Sequence, residues 1–318
     1  MMAIESLIEF PKKVSRSPIQ QMKEIKNDVE LQGFQECHYR DCQAVCLTFQ
    51  WLQECIDKNL FVTECLVAQY LEARQREQDH FVSIAFETIS AVRENTALIE
   101  YVPVIEGEQK AIGHDLYYLD AGANYLDGTT DMTRTLHFGQ PNKKQIECYT
   151  LVLRGILAVE MTRFPSQNFI SGYRIDALLQ QHLNSYRYKS QGVSFGHGVS
   201  HGHGVIEGGV IISDHNPTSN KISISPGMIL TLEPGVYFNQ EWGIRLENVY
   251  KIEEIEYGWM QFIPLTLIPY SHKMIDFDLL SREEINWLRQ YHRRCQEKVN
   301  GGCWMINETN QFLEQENK

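Results

Sequence analysis

No run in this chain is apolar for long enough to cross a membrane. The opening residues, Met1-Met2-Ala3-Ile4-Glu5, lack the basic start and apolar core of a secretion signal, so export is not expected. Positive charge is scarce. Lys and Arg total 29 against 41 Asp and Glu, a formal net charge of -12, which argues against nucleic acid or an anionic membrane surface as the main partner. Glycine (21) and proline (10) are not in excess among 318 residues, which excludes collagen-like and low-complexity architectures. Paired C-x-x-C sites are missing as well. The cysteines, Cys37, Cys42, Cys46, Cys55, Cys65, Cys148, Cys295 and Cys303, stand in a chain long enough to fold without disulfide staples, so free thiols in a reducing cytoplasm are expected. Asn307-Glu308-Thr309 fits a glycosylation sequon, but without a secretion signal it reads as a chance match. What is present, 43% apolar and 22% charged residues, is the composition of a globular protein of one large or two ordinary domains.

Residues 1–16 read as a flexible leader and 301–318 as a polar tail. Between them, 17–300 reads as one α+β domain with helices first and then strands alternating with helices. Ser17-Pro18 is a helix start, and Gly33 is expected to interrupt before a second helix over Glu36 to Ile56. Thr63 is positioned to cap a third helix to Arg76. Phe86–Ser90 and Ala97–Tyr101 alternate like strands. Helices are expected over Lys143 to Thr162, Gly172 to Leu183, and from a Ser281 cap to Val299. Ile222 to Tyr237 and Gly243 to Ile252 are strand-like, and Pro264 to Pro269 reads as a short strand between prolines.

Candidate chemistry concentrates in four places. Tyr117-Tyr118-Leu119-Asp120 runs into a glycine-containing turn, and Asp131-Met132-Thr133-Arg134-Thr135 leaves it, so a hairpin would bring Asp120 and Asp131 face to face at its base. Two carboxylates at close range repel unless a proton or a cation lies between them, and a hard divalent ion suits oxygen donors. The second place is Gly196-His197-Gly198-Val199-Ser200-His201-Gly202-His203, too rich in glycine for a helix; extended, it would point His197, His201 and His203 to one side. The third is Thr231-Leu232-Glu233-Pro234-Gly235, and the fourth Gly243-Ile244-Arg245-Leu246-Glu247-Asn248. Each alone is weak. Together they make a mostly oxygen-donor set that suits paired Mn²⁺, Co²⁺ or Zn²⁺ rather than a cysteine-rich structural zinc site.

In order and spacing these motifs resemble the pita-bread metallopeptidases, the group of methionine aminopeptidase, prolidase and X-prolyl aminopeptidase. Asp127-Gly128-Thr129-Thr130-Asp131, His137-Phe138-Gly139 and Leu265-Thr266-Leu267-Ile268-Pro269 resemble the cytosolic eukaryotic-type X-prolyl aminopeptidases in particular. The resemblance implies a curved antiparallel sheet covered by helices and a metal-dependent aminopeptidase. It would cleave the bond between an N-terminal residue and a following proline through water held between two divalent ions, Mn²⁺ foremost. It further implies that Asp120, Asp131, His201, Glu233 and Glu247 bind metal, with Asp131 and Glu247 bridging. Glu233 would move the proton, His197 would steady the substrate, and Arg245 would orient a neighbouring ligand. The alternative register makes His197 the ligand; the His-Gly-Val-Ser-His pattern favours His201. The expected partners are peptides with proline in second position and a second copy of the chain, with no nucleic acid and no membrane.

Two positions depart from the family pattern. Glu100 stands where X-prolyl enzymes carry a histidine, and the Val205-Ile206-Glu207 segment, or Gly208 in an ungapped match, lacks another. The chain also starts at what would be the catalytic domain. A catalytically weak relative that binds peptide or protein is therefore the alternative to an active hydrolase.

Overall fold

The computed structural model describes residues 17–103, 110–185, 192–193, 195–201, 204–214 and 221–299. The expected leader and tail, and His203, lie outside the described residues. In chain order the elements are α1 (Pro18–Glu24), α2 (Asp28–Asp57), α3 (Glu64–Arg76), β1 (Phe81–Ile84), β2 (Ile89–Val92), β3 (Leu116–Ala121), β4 (Ala123–Tyr125), β5 (Gly128–Thr129) and β6 (Met132–His137). They continue with α4 (Lys143–Glu160), β7 (Phe164–Pro165), α5 (Gly172–Ser185), β8 (Gly192–Val193), β9 (His197–Val199), β10 (Ile206–Ile211) and β11 (Ile229–Leu232). The last are β12 (Gly235–Phe238), β13 (Trp242–Arg245), β14 (Asn248–Glu256), β15 (Trp259–Pro264) and α6 (Arg282–Lys298).

A six-stranded antiparallel sheet, ordered β10-β9-β11-β14-β15-β7, is the largest layer. A three-stranded sheet, β2-β3-β6, abuts it through one bridge between Thr133 and Glu247. Two further three-stranded sheets, β13-β12-β8 and β1-β4-β5, complete the curve. Helices α4 and α5 pack against each other. Their buried residues Tyr149, Leu153, Ile156, Leu179 and Leu183 share one apolar core with Leu230, Tyr250 and Phe262 of the large sheet.

Helix α2 starts at Asp28 rather than Glu36. Asn27 and Glu30 close a reciprocal capping box there, and the helix passes through Gly33 without a break. The glycine has another cause. A β-carbon on Gly33 would lie 2.2 Å from the main-chain oxygen of Asp127, so the turn before β5 is seated directly on the helix. Gly33→Ala is therefore expected to cost about 1–3 kcal/mol by overpacking, although alanine is the better helix former. A denaturant melt that shows unchanged or raised stability would mean the turn gives way freely.

Three strand expectations are corrected. In 86–90 the pairing begins only at Ile89, where Ile89 faces Asp120. Residues 97–101 form no strand: a 3-10 turn over Arg93–Ala97, opened by Arg93 at φ 55, takes the chain away from the sheet. Beyond Pro264 the ladder stops because side chains claim the carbonyls. Tyr291 donates to the oxygens of Thr266 and Ile268, and Arg134 also donates to Ile268. The caps at Thr63 and Ser281 are present as expected.

Candidate metal centre

Asp120 lies next to the end of β3 in register with Thr133 of β6, and Asp131 immediately precedes β6. The two aspartates thus enter the interior from adjacent strands, with the β4–β5 excursion between them. Glu247 sits between β13 and β14; its N–H donates to the Thr133 carbonyl at 3.1 Å and its Oε2 accepts from Thr133 Oγ1 at 2.8 Å. Glu233 follows β11, its main chain tied by a bond from its N–H to Phe195 O at 3.0 Å. His197 opens β9, and its N–H donates to Thr231 Oγ1 at 3.1 Å.

These side chains converge. One ligand atom each from Asp131, His197 and Glu247 lie within 4.8 Å of one another, and all three residues are buried. His197 Nε2 is 3.4 Å from Asp131 Oδ2 and 3.8 Å from Glu233 Oε1. Its Nδ1 lies 2.9 Å from Gly198 O. Donation of Nδ1–H to that carbonyl leaves Nε2 facing the acids, the tautomer a metal-binding imidazole needs. Asp120, Asp131, His197, Glu233, Arg245 and Glu247 all line one cavity of about 460 Å³.

The charge balance of this cavity is unfavourable for the chain alone. Burial pushes the carboxyl groups of Asp131, Glu233 and Glu247 up, and repulsion among the neighbouring acids adds to it. Burial pulls His197 down, but the bond to Asp131 and the nearby Glu233 more than reverse this and raise it to about 9. Asp120 Oδ1 and Glu247 Oε1 are buried without a hydrogen-bond partner. Carboxylate oxygens orphaned in this way point to missing cations, and the donors are of the oxygen-and-imidazole kind that hold divalent first-row ions. The residues present therefore fit a metal centre.

His201 is corrected. β9 ends at Val199, and the hairpin to β10 closes through Ser200 N–H to Val205 O (3.0 Å), which puts His201 at the tip. Its ring meets Phe34 edge-on at 5.8 Å, and its Nδ1 lies 3.5 Å from Glu30. The even spacing that would align His197 with His201 holds only in a continuous strand, and the turn breaks it. His197 takes the place in the acidic cavity expected for His201.

Arg245 is buried in the same cavity and makes several contacts there. Nη2 forms an ion pair with Asp120, Nη1 donates to Tyr237 Oη (3.0 Å) and Ile99 O (3.3 Å), and Nε donates to Thr133 Oγ1 (3.2 Å). Three supporting residues were not singled out from the sequence. Thr133 joins Arg245 to Glu247. It stands two residues from Asp131 on the same side of a strand, so period-two alternation could have found it. Thr231 stands in the same relation to Glu233 and hydrogen-bonds it at 3.3 Å. Arg134 has no such signal. Fully buried, it donates to the carbonyls of Thr133 (2.9 Å) and Glu247 (2.7 Å) and to Asn248 Oδ1 (2.7 Å), locking the two ligand-bearing segments together from behind.

Curled antiparallel sheets closed over a buried carboxylate–histidine centre define a metallopeptidase of the pita-bread fold. The chain belongs to metallopeptidase family M24: the family model matches residues 32–254, and the model for the C-terminal region of the same peptidases matches 258–317. It is 39% identical over 317 residues to a probable Xaa-Pro aminopeptidase P of Talaromyces marneffei, covering 96% of this chain and 47% of that relative. Xaa-Pro aminopeptidase 1 of Dictyostelium discoideum is 38% identical, covering 89% of this chain and 46% of the relative. The chain thus spans about half the length of the curated relatives it matches. Among solved structures, the X-prolyl aminopeptidase of Caenorhabditis elegans, described as a cytosolic enzyme with a di-nuclear active site, superposes with a TM-score of 0.86. Its identity is 34%, over 94% of this chain and 50% of that one. Prolidase from Pyrococcus furiosus superposes at 0.64 with 27% identity, covering 78% of this chain and 66% of that one.

Proposed function

We propose that this chain is the catalytic unit of a metallo-aminopeptidase that hydrolyses the bond between an N-terminal residue and a following proline. The observation that carries the reading is the convergence of Asp120, Asp131, His197, Glu233 and Glu247 in one cavity of an M24 chain. In this reading Asp120, Asp131, His197, Glu233 and Glu247 would together hold two divalent ions, Mn²⁺ foremost, with Asp131 and Glu247 as the carboxylates that would be shared. Bound there, the ions supply Lewis acidity and lower the pKa of water. Glu233 accepts a proton at its carboxylate and passes it to the leaving proline nitrogen. Arg245 pairs with Asp120 and orients it, and Thr133 fixes one oxygen of Glu247. The complete acidic set supports hydrolysis over a role confined to binding. The described cysteines are all buried and none stands in a disulfide, which supports a reducing, cytoplasmic location.

The test is elemental analysis of the purified chain combined with turnover of Xaa-Pro and Xaa-Ala peptides before and after Mn²⁺ is added. The expected result is two ions per chain and Mn²⁺-dependent release of the first residue only when proline follows. A single ion at saturation, or release without regard to proline, would refute it.

A further inference from the structure

Glu100 also lines the cavity of the acidic centre. Among the described lining residues the basic side chains, His197 and Arg245, are already turned to acids, His197 to Asp131 and Glu233, and Arg245 to Asp120. Among the described residues none forms an ion pair with Glu100. Its main chain is nonetheless anchored: the carbonyl of the preceding Ile99 accepts from Arg245 Nη1 at 3.3 Å, the same guanidinium that grips Asp120. Glu100 is exposed, so it stands at the cavity mouth rather than among the buried carboxylates. The same cavity is lined by the apolar side chains of Val193, Phe195, Val205 and Ile206, of which Val193 and Ile206 are exposed as Glu100 is.

An apolar wall with a single acid at its rim is the chemical complement of a long aliphatic stem ending in a cation. Lysine and arginine side chains lay their methylenes on apolar surface and carry the charge to its edge. The free α-amino group of a substrate cannot take that part readily. It is two bonds from the scissile carbonyl carbon and travels with it to the buried centre, whereas the first side chain is free to extend outward. We propose that Glu100 is a specificity residue that favours substrates whose first residue is lysine or arginine. This rests on the reading of the chain as an Xaa-Pro aminopeptidase.

The experiment compares Arg-Pro-Pro, norleucine-Pro-Pro and Glu-Pro-Pro on the Mn²⁺-loaded chain and its Glu100→Gln variant. In parallel, calorimetry measures binding of arginine and norleucine analogues in which the scissile carbonyl is replaced by methylene. Wild type is expected to prefer arginine over norleucine by about fivefold or more, mostly through KM and through analogue affinity. The preference should vanish in Glu100→Gln and shrink at ~0.5 M salt. Equal use of arginine and norleucine by wild type, or a preference that survives in Glu100→Gln, would overturn the proposal. So would an equal loss for all three peptides in the variant, which would give Glu100 to the α-amino group. Absence of cleavage of every Xaa-Pro peptide would instead refute the peptidase reading, and the calorimetric comparison would still decide the role of Glu100.

Discussion

His197→Ala is expected to leave a folded chain that no longer retains its metal through dialysis, while His201→Ala retains it. His197 is buried, points Nε2 at Asp131 and Glu233, and has its other nitrogen against the Gly198 carbonyl. Removing even an outer hydrogen-bond partner of a metal ligand costs about 10–100-fold in affinity or activity, so removal of the imidazole itself should exceed ~100-fold. Xaa-Pro turnover should fall with it. His201 sits at the hairpin tip beside Glu30 and Phe34, where substitutions cost at most about 0.5 kcal/mol. Metal content of the dialysed proteins by elemental analysis decides the matter. Retention by His197→Ala together with loss by His201→Ala would restore the register that the sequence favoured.

The second large effect is on stability. Arg245→Met removes a buried cation but keeps a side chain of similar length. Asp120 then loses its ion pair, and its Oδ1 is already without a hydrogen-bond partner. Tyr237, Ile99 and Thr133 lose a donor at the same time. Breaking a buried pair from one side costs about 3–5 kcal/mol. At roughly 2–4 °C per kcal/mol for a chain of this size, the metal-free melting temperature should drop by about 6–20 °C. Mn²⁺ should recover part of the drop, because an ion bound by the folded state alone stabilises it and places positive charge beside Asp120. Calorimetric scans with chelator and with Mn²⁺ test both halves. An unchanged metal-free melt would show that Asp120 is compensated without Arg245, and a drop insensitive to Mn²⁺ would remove Asp120 from the metal centre.

Much of the site is legible in one dimension because its carboxylates stand at or beside strand ends, where local signals are strong. Asp120 closes an apolar run, Asp131 immediately precedes the next strand, and Glu233 immediately follows another. Helix starts are legible for the same reason, since a cap satisfies orphaned backbone donors within a few residues, as at Thr63 and Ser281. Gly33 misleads because its cause is distant: the main chain of Asp127 rests on it, and only the folded chain brings the two together. Residues 265–269 mislead in the same way, for their carbonyls are taken by Arg134 and Tyr291 from other elements.

The amino-acid sequence by itself determined the class of fold, the kind of metal the donors suit, and four of the carboxylates in the cavity, because residue type and strand position are local properties. Tertiary structure decided which histidine joins them. His197 and His201 are equivalent as letters in a glycine-rich run, and their difference is made by a turn between β9 and β10 that sends one ring inward and the other to the tip. It also decided that Arg134 and Arg245 are buried. A guanidinium is stable in the interior only where carbonyls, hydroxyls and carboxylates from several segments meet it, and those partners are assembled by folding alone.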